Sequence, residues 1–345
     1  MGHGVGVCQH GAGNAEDVAG DHVDERKGQH SRIMAQMGYE PNFEAEPSEA
    51  FSKTIGIILP SSQRDVYENA FHLEIIRGIG QFCNQRRYVN TVITGEDDAE
   101  VLDAAKELKI VVRAGAGYDN VDLAAATAHG VCVMNTPGQN SNAVAELVFG
   151  LLVYAVRNFY NGTSGTELMG KKLGIHAYGN VGRNVARVAK GFGMDIYAYD
   201  AFCPKEVIEK DGVKAVDSAD ELYSACDVVS LHIPATAETK NSINYALVNK
   251  MPKGGVLVNT ARKEVINEAE LIQLMEERGD LKYMTDIMPA AHETFAAKFV
   301  GRYFSTPKKM GAQTAEANIN AGIAAAQQIV GFLKDGCEKF RVNKK

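Results

Sequence analysis

The stretch Gly170–Asp200 reads GKKLGIHAYGNVGRNVARVAKGFGMDIYAYD. Leu173–Ala177 and Met194–Tyr199 are short apolar runs of strand length, and between them Val181, Val185, Val188 and Ala189 recur at helical spacing. The segment is read as a βαβ unit with a tight turn after its first strand. Its acid, Asp200, stands eighteen positions past Gly182, the pattern of a dinucleotide site. Gly179 lets the backbone approach a pyrophosphate, Gly182 lets the helix pack close to the strand, and the helix N-terminus faces the phosphates. Asp200 is placed to accept hydrogen bonds from the adenosine ribose, which favours NAD over NADP. One departure is plain: Ala177 occupies the first glycine position of GxGxxG. Taken alone the turn decides little, because many glycine turns in α/β proteins bind nothing.

The whole chain narrows the choice. Its 345 residues suggest two domains, and a hydrophobic content of 45% supplies an ordinary core. A formal net charge of -7 argues against a general nucleic-acid or membrane-surface binder. The six cysteines, Cys8, Cys83, Cys132, Cys203, Cys226 and Cys337, form no CxxC pair. Cys83, Cys132 and Cys226 lie in apolar surroundings and read as buried thiols of a reducing compartment. No signal peptide and no bilayer-length apolar run are visible, so a cytoplasmic enzyme is expected. Residues 1–22 are glycine-rich without apolar periodicity. Their His3, His10 and His22 read as part of a disordered tail rather than as ligands, and no metal is expected.

Over residues 23–97 the segments MGYEPN (Met37–Asn42), SKTIGIILP (Ser52–Pro60) and EIIRGI (Glu74–Ile79) resemble the lactose-repressor family of sugar-responsive transcription factors. The likeness covers the end of a DNA-binding headpiece, a hinge and the first βαβ of a sugar-binding domain. The residues themselves read as a strand at Thr54–Leu59, an amphipathic helix at Phe71–Gln85 and a strand at Val89–Thr94. The part of the headpiece that carries the recognition helix is missing or scrambled, and no sugar-binding remainder follows Asp98. DNA binding is therefore not expected.

From Asp98 the text changes character. RAGAGYDNVD (Arg113–Asp122), NTPGQNSNAVAEL (Asn135–Leu147), HAYGNVGR (His176–Arg183), LHIPAT (Leu231–Thr236), VNTARKEVINE (Val258–Glu268) and TPKKMGAQTAEA (Thr306–Ala317) follow one another. These motifs, in this order, resemble the D-2-hydroxyacid dehydrogenases, and within them the phosphoglycerate-oxidising branch, over Asp98–Asn343. The resemblance implies an α/β fold of two doubly wound Rossmann-like domains. An NAD-binding domain at 138–307 is inserted in a substrate domain split between 23–137 and 308–345. The closing helix Thr314–Lys334, apolar at Ile319, Ile323, Ile329 and Phe332, crosses back. The resemblance also implies NAD as cofactor, a small-molecule substrate and a homodimer formed through the nucleotide-binding domain.

Hydride transfer to a 2-keto acid needs a cation for the carboxylate and carbonyl, a proton donor at the carbonyl oxygen and a nicotinamide held face-on. Arg262 matches the family's catalytic arginine, and a guanidinium meets a carboxylate with two parallel hydrogen bonds. The family's proton donor is a histidine in a TPH segment, whereas this chain reads Thr306-Pro307-Lys308-Lys309-Met310-Gly311. Anchored on Gly311-Ala312 the position falls on Lys309; anchored on Pro307 it falls on Lys308. Lys309 is taken as the acid/base, with burial beside Arg262 expected to lower its pKa. Glu293, the first acid after Asp286, is the candidate orienting carboxylate; it comes later than the family's spacing, and the adjacent His292 is left unassigned. By motif, Tyr178, Gly179, Asn180, Val181 and Gly182 line the phosphate turn. Asp200, His232, Pro234, Thr260, Ala261 and Asp286 complete the cofactor contacts, and Arg113 with Gly115, Ala116 and Gly117 faces the substrate.

Upstream, Gly95-Glu96-Asp97-Asp98 stands where the family has an arginine–serine turn with a basic residue nearby, and an acidic turn repels a phosphorylated acid. The N-terminal part also reads as one βα unit short, as though two families had been joined. The expected reaction is NAD-dependent oxidation of 3-phosphoglycerate to 3-phosphohydroxypyruvate, the entry to serine synthesis, impaired to the extent that the replaced half-domain fails. The alternatives are another 2-hydroxyacid dehydrogenase, an inactive NAD-binding chimera and a sugar-sensing regulator fragment. With no regulatory domain after the closing helix, serine feedback through one is not expected.

Overall fold

The computed structural model describes residues 54–60, 70–86, 88–95, 105, 107–118 and 121–343. The expected tail at 1–22, the headpiece-like stretch before Thr54 and the acidic Glu96–Asp98 lie outside the described residues. In chain order the elements are β1 (Thr54–Pro60), α1 (Ala70–Arg86), β2 (Val89–Gly95), β3 (Ile110–Arg113), α2 (Leu123–Ala128), β4 (Cys132–Asn135) and α3 (Ser141–Val156). Then follow β5 (Lys172–His176), α4 (Asn180–Gly191), β6 (Asp195–Tyr199), α5 (Lys205–Lys210), β7 (Lys214–Ala215), α6 (Ala219–Ala225) and β8 (Val228–Leu231). The last are α7 (Tyr245–Val248), β9 (Val256–Asn259), α8 (Glu268–Glu277), β10 (Lys282–Thr285), α9 (His292–Lys298), β11 (Tyr303–Ser305) and α10 (Ala315–Asp335).

The chain divides into two units, one running to Gln139 and resuming at Asn318, the other Asn140–Ala317. The sequence places the second boundary at 307 instead. The turn after Pro307 stays with the second unit, where the Asp286 carboxylate accepts hydrogen bonds from Met310 N (3.3 Å) and Gly311 N (2.7 Å).

The second unit is built on a parallel seven-stranded sheet in the order β11-β10-β9-β8-β5-β6-β7. Strand order reverses at β5, which pairs with β8 on one side and β6 on the other. Every residue of β8 and β9 is buried, which fits their unbroken apolar text, VVSL and VLVN, with both faces covered. Helix starts are capped by side chains: Ser218 Oγ accepts from Glu221 N (3.1 Å) and Asn267 Oδ1 from Glu270 N (3.3 Å). On α4, Val185, Ala186 and Ala189 are buried as the helical period requires, while Val181 and Val188 are only partly so.

In the first unit β1 pairs in parallel with β2, from Thr54↔Val89, and β3 with β4, from Ile110↔Cys132. The strands and helix expected in the repressor-like stretch are therefore present, each within a residue of its expected ends. Their core is shared with the later chain: Ile55, Ile57, Ile75, Ile79 and Phe82 cluster with Val112, Met134, Ala321, Ala325 and Ile329. Helices α1 and α10 touch backbone to backbone. A Cβ on Gly78 would overlap the carbonyl oxygen of Ile319, and one on Gly322 the carbonyl oxygen of Ile75. This close approach sets the buried face of α10, which is Ala321, Ala325, Ala326, Ile329 and Val330; Ile319, Ile323 and Phe332, expected on that face, are only half-buried. Asn343 ties the chain end to β4, accepting from Val133 N and donating to Val131 O, both at 2.9 Å.

Cys83, Cys132 and Cys226 are buried free thiols, and burial pushes them up to about 11, 11 and 12. Among the described residues no helix is long and apolar enough to cross a membrane.

The glycine crossing makes a stability prediction. Gly322→Ala forces α1 and α10 apart and should cost about 1–3 kcal/mol, the usual size of overpacking. Gly150→Ala, on α3 where a Cβ meets nothing, should instead gain about 0.5–1 kcal/mol from helix entropy. Urea unfolding of the two variants gives opposite signs if the crossing is as tight as described; equal midpoints would mean that α1 and α10 separate without cost.

Candidate functional site

The carboxyl ends of β5, β8, β9 and β10 all lie along one edge of the seven-stranded sheet, at and beside the strand-order reversal. Open α/β sheets bind ligands there. The phosphate-turn residues, His232, Pro234, Thr260, Ala261, Arg262 and Asp286 stand at these ends; Asp200 follows β6, Lys308 and Lys309 follow β11, and Glu293 lies on α9.

The β5 turn is held from three sides. Ala177 takes a left-handed φ of 81°, which is the conformation that the missing glycine would adopt freely. Its N–H donates to Tyr199 O at 2.8 Å. Tyr178 N donates to Asp200 Oδ2 at 2.7 Å, and the Tyr178 ring is buried. Gly179 precedes the first residue of α4, and a Cβ there meets nothing within 4 Å. Gly182 is the opposite case, since a Cβ would overlap the Ala177 carbonyl oxygen and lie 3.0 Å from Ile175 Cγ2. Gly182 therefore serves helix–strand packing, whereas the space beside Gly179 is left for something outside the chain. Asp200 has a second task that the sequence did not show. Its Oδ1 accepts from Phe202 N (2.8 Å) and Cys203 N (2.9 Å), so three backbone amides hold it in place. A carboxylate has about four acceptor positions, which leaves one for a ribose hydroxyl.

Two histidines lie beside this turn, His176 buried and His232 partly buried. His176 ends β5, with Nδ1 3.3 Å from the Tyr223 hydroxyl. His232 follows β8, with Nε2 3.0 Å from Ser230 Oγ and its N–H donating to His176 O at 2.9 Å. Burial lowers His176 to about 4, partly offset by Asp200, and lowers His232 to about 3, with repulsion from His176 adding to it. Both rings are neutral at physiological pH. Pro234 is exposed two residues beyond.

At the end of β9 a residue without an assigned role organises the turn. Asn259 is fully buried; its Oδ1 accepts from Ala261 N (3.0 Å) and its Nδ2 donates to Arg262 O (2.9 Å). Thr260 is buried, and its Oγ1 has no hydrogen-bond partner among the described residues. Arg262 is half-buried and donates from Nη1 to Ala261 O at 2.9 Å, using one of five guanidinium donors.

Asp286, just after β10, is fully buried. Beyond the two amides that it holds through Oδ2, its Oδ1 has no partner among the described residues. Burial raises its pKa, opposed by the Gly311 N–H and by the charge of Lys309. Thr306 Oγ1 lies 2.7 Å from Lys308 O and 3.2 Å from Asp286 O, closing the turn from its other end. Lys308 and Lys309 are both exposed, so the burial expected for Lys309 is not found: the turn carries it outward. Glu293 is exposed on the first turn of α9. The loop before it is held by Glu268, whose carboxylate accepts from Ala290 N (2.9 Å) and Ala291 N (2.8 Å), and His292 Nδ1 lies 2.9 Å from the Tyr303 hydroxyl.

In the first unit, Arg113 lies across the Gly115 backbone, so that a Cβ there would overlap Arg113 Nη1. Gly115 O accepts from Thr136 N at 2.9 Å and Ala116 O from Asn135 Nδ2 at 2.7 Å, which fixes the loop leading to Gly117.

Residues 154–301 match the family model of the D-isomer specific 2-hydroxyacid dehydrogenase NAD-binding domain. The chain is 42% identical to the NAD+-bound 3-phosphoglycerate dehydrogenase of Entamoeba histolytica, with a TM-score of 0.69, covering 78% of this chain and 94% of that one. It is 35% identical to the hydroxypyruvate reductase of Thermotoga maritima, over 67% of this chain and 79% of that protein. The chain belongs to the D-2-hydroxyacid dehydrogenase family. It is also 36% identical to the D-3-phosphoglycerate dehydrogenase of Methanocaldococcus jannaschii over 71% of its own length, but spans only 49% of that relative. The lactose-repressor likeness of residues 23–97, and with it the idea of a joined chain, gains no support from these matches.

The family's cofactor fits the residues present. Open space beside Gly179 suits a pyrophosphate, Asp200 retains an acceptor position, and the orphaned Thr260 Oγ1 and Asp286 Oδ1 are buried polar atoms that a bound polar group would satisfy.

Two predictions follow from this geometry. Gly179→Ala should leave stability unchanged and weaken NADH binding, whereas Ala177→Gly should stabilise by up to about 1 kcal/mol. The latter is relief of a left-handed alanine less the added chain entropy. NADH fluorescence titration and thermal unfolding read both, and an unchanged Kd in Gly179→Ala would remove the pyrophosphate from that space. The histidines set an acid limb. Above pH 6.5 they are neutral folded or unfolded. As pH falls toward about 4, the unfolded chain binds protons that folded His176 does not, so stability drops, by about 3 kcal/mol for this residue. His176→Asn should make the fall in stability between pH 6.5 and 4 shallower, leaving the share that His232 contributes; an unaltered slope would show that His176 is protonated when folded.

Proposed function

We propose that the chain catalyses the NAD-dependent interconversion of a D-2-hydroxy acid and its 2-keto acid, with 3-phosphoglycerate and 3-phosphohydroxypyruvate as the pair that it turns over in serine synthesis. The observation that carries this reading is the placing of Arg262 and the Lys309 turn at the ends of the adjacent strands β9 and β10–β11, with Asp286 between them. The identity to the Entamoeba enzyme favours the phosphorylated substrate. Hydroxypyruvate, the substrate in the name of the Thermotoga relative, is the second reading.

Bound NAD would supply the acceptor for the hydride that leaves substrate C2, and NADH would supply the hydride in reverse. Arg262 binds the substrate carboxylate through its planar fork and draws electron density toward the carbonyl oxygen. Asn259 fixes the backbone from which Arg262 projects. In reduction Lys309 Nζ–H gives its proton to the oxygen as the hydride reaches C2; in oxidation neutral Lys309 takes the hydroxyl proton as the C2 hydride leaves. Asp200 and the β5 turn hold the adenosine end, with His232 and Pro234 beside it. Arg113 and the loop Gly115–Gly117 are proposed substrate contacts. A homodimer through the nucleotide-binding unit is proposed; that unit carries exposed Tyr160 and Met169, 66% and 72% accessible.

Steady-state reduction of phosphohydroxypyruvate, hydroxypyruvate, glyoxylate and pyruvate with NADH and NADPH tests the reading. Phosphohydroxypyruvate with NADH should give the highest kcat/KM. Reduction should run well near neutrality and oxidation only at alkaline pH, because a lysine carries its proton at pH 7. Lys309→Met should cost about 10²–10⁴ in kcat and Lys308→Met far less. The reverse ranking would move the donor to Lys308, and full activity in the double variant would remove lysine from the chemistry.

A further inference from the structure

We infer that Asp286 is the carboxylate that positions the proton donor, and that cofactor binding reaches Lys309 through it. The inference rests on the reading of Lys309 as acid/base. Residue 286 grips both ends of the turn that carries Lys308 and Lys309. Its carbonyl oxygen lies 3.2 Å from Thr306 Oγ1 at the start, and its Oδ2 accepts from Met310 N and Gly311 N at the finish. The grip has no slack. A Cβ on Gly311 would lie 2.8 Å from Asp286 Oδ2 and 3.2 Å from Val144 Cγ2, so the amide reaches the carboxylate only because position 311 is glycine. Lys308 and Lys309 are the charged side chains between those two anchors, and it is the charge of Lys309 that acts on Asp286. Glu293, the candidate orienting carboxylate by order in the chain, is exposed on α9, after a loop held by Glu268.

The coupling comes from the other oxygen. Asp286 Oδ1 is buried and has no partner among the described residues, a costly state for a carboxylate. A donor from the bound cofactor that reaches Oδ1 stabilises the ionised carboxyl. That strengthens its bonds to the Met310 and Gly311 amides and fixes the turn from which Lys309 works. The acid/base would then be in place only when cofactor is bound.

The test has one arm that needs no activity. By hydrogen exchange, NADH should slow the segment 306–311 in the wild type and leave it unchanged in Asp286→Asn at saturating NADH. Equal slowing in both proteins would overturn the coupling. The second arm is a double-mutant cycle on kcat for keto-acid reduction. Lys309→Met should cost about 10²–10⁴ in the wild type and about threefold or less in Asp286→Ala, because a positioning residue and the group that it positions are not additive. Full multiplicative losses would make Asp286 independent of Lys309 and overturn the inference. If Asp286→Ala does not fold, Asp286→Asn takes its place, with a Lys309→Met loss at least about tenfold smaller than in the wild type. A protein that shows the exchange effect but reduces no keto acid would sink the proposed function and leave the coupling standing. Activity with no exchange effect and additive losses would do the reverse.

Discussion

The turns at the carboxyl edge of a parallel sheet leave backbone amides that no strand or helix can satisfy, and here buried or half-buried side-chain acceptors meet them. Asp200 takes Tyr178, Phe202 and Cys203; Asp286 takes Met310 and Gly311; Glu268 takes Ala290 and Ala291; Asn259 takes Ala261. An unsatisfied buried amide costs about 1–3 kcal/mol, so the acceptors matter most where the amide is shielded, at Gly311, Tyr178 and Ala261, and least at the exposed Phe202 and Ala290. The candidate site is the set of turns built this way. Its geometry depends less on the strands, which any apolar text would supply, than on three carboxylates and one amide.

The same arrangement explains how one residue can serve both frame and ligand. A carboxylate has about four acceptor positions, more than one turn consumes. Asp200 retains a position after three amides, and Asp286 retains a whole oxygen. The histidines beside the first turn do not compete for these positions as cations, because burial keeps His176 and His232 neutral. With the adenosine end at Asp200, as proposed, this carboxylate would disfavour an added 2′-phosphate.

Much of this was legible in the text. The strand–turn–helix of Gly170–Asp200 follows from apolar spacing and two glycines, and the motif order carried Arg262 and Asp286 to the strand ends where they stand. What the text could not show is which partner each polar side chain takes. Asn259 and Glu268 are letters of the motif VNTARKEVINE to which spacing alone assigns no role. Their hydrogen bonds join residues that lie together only once β9, β10 and their helices are packed. Lys309 was expected to be buried because sequence spacing gives a position in the chain and not the direction in which a turn points. The nearest signal for Asp286 holding the lysine turn was Gly311, a glycine in a segment with no left-handed φ to explain it; only a close neighbour can require it, and the sequence does not name that neighbour.

The N-terminal stretch shows the limit of reading by likeness. Its phrases suggested a fragment from elsewhere, yet Gly78 in that stretch and Gly322 in the closing helix are matched across one crossing, each sitting where the other helix's backbone leaves no room for a Cβ. A helix borrowed from an unrelated fold has no reason to carry its glycine at the contact point, since any side chain there would hold α10 away. Ile319 itself lies at this contact through its backbone, while Ala321, Ala325 and Ala326 of the same helix are buried in the shared core. Two complementary surfaces so close that a single methyl group would part them are what a pair of helices shaped together looks like.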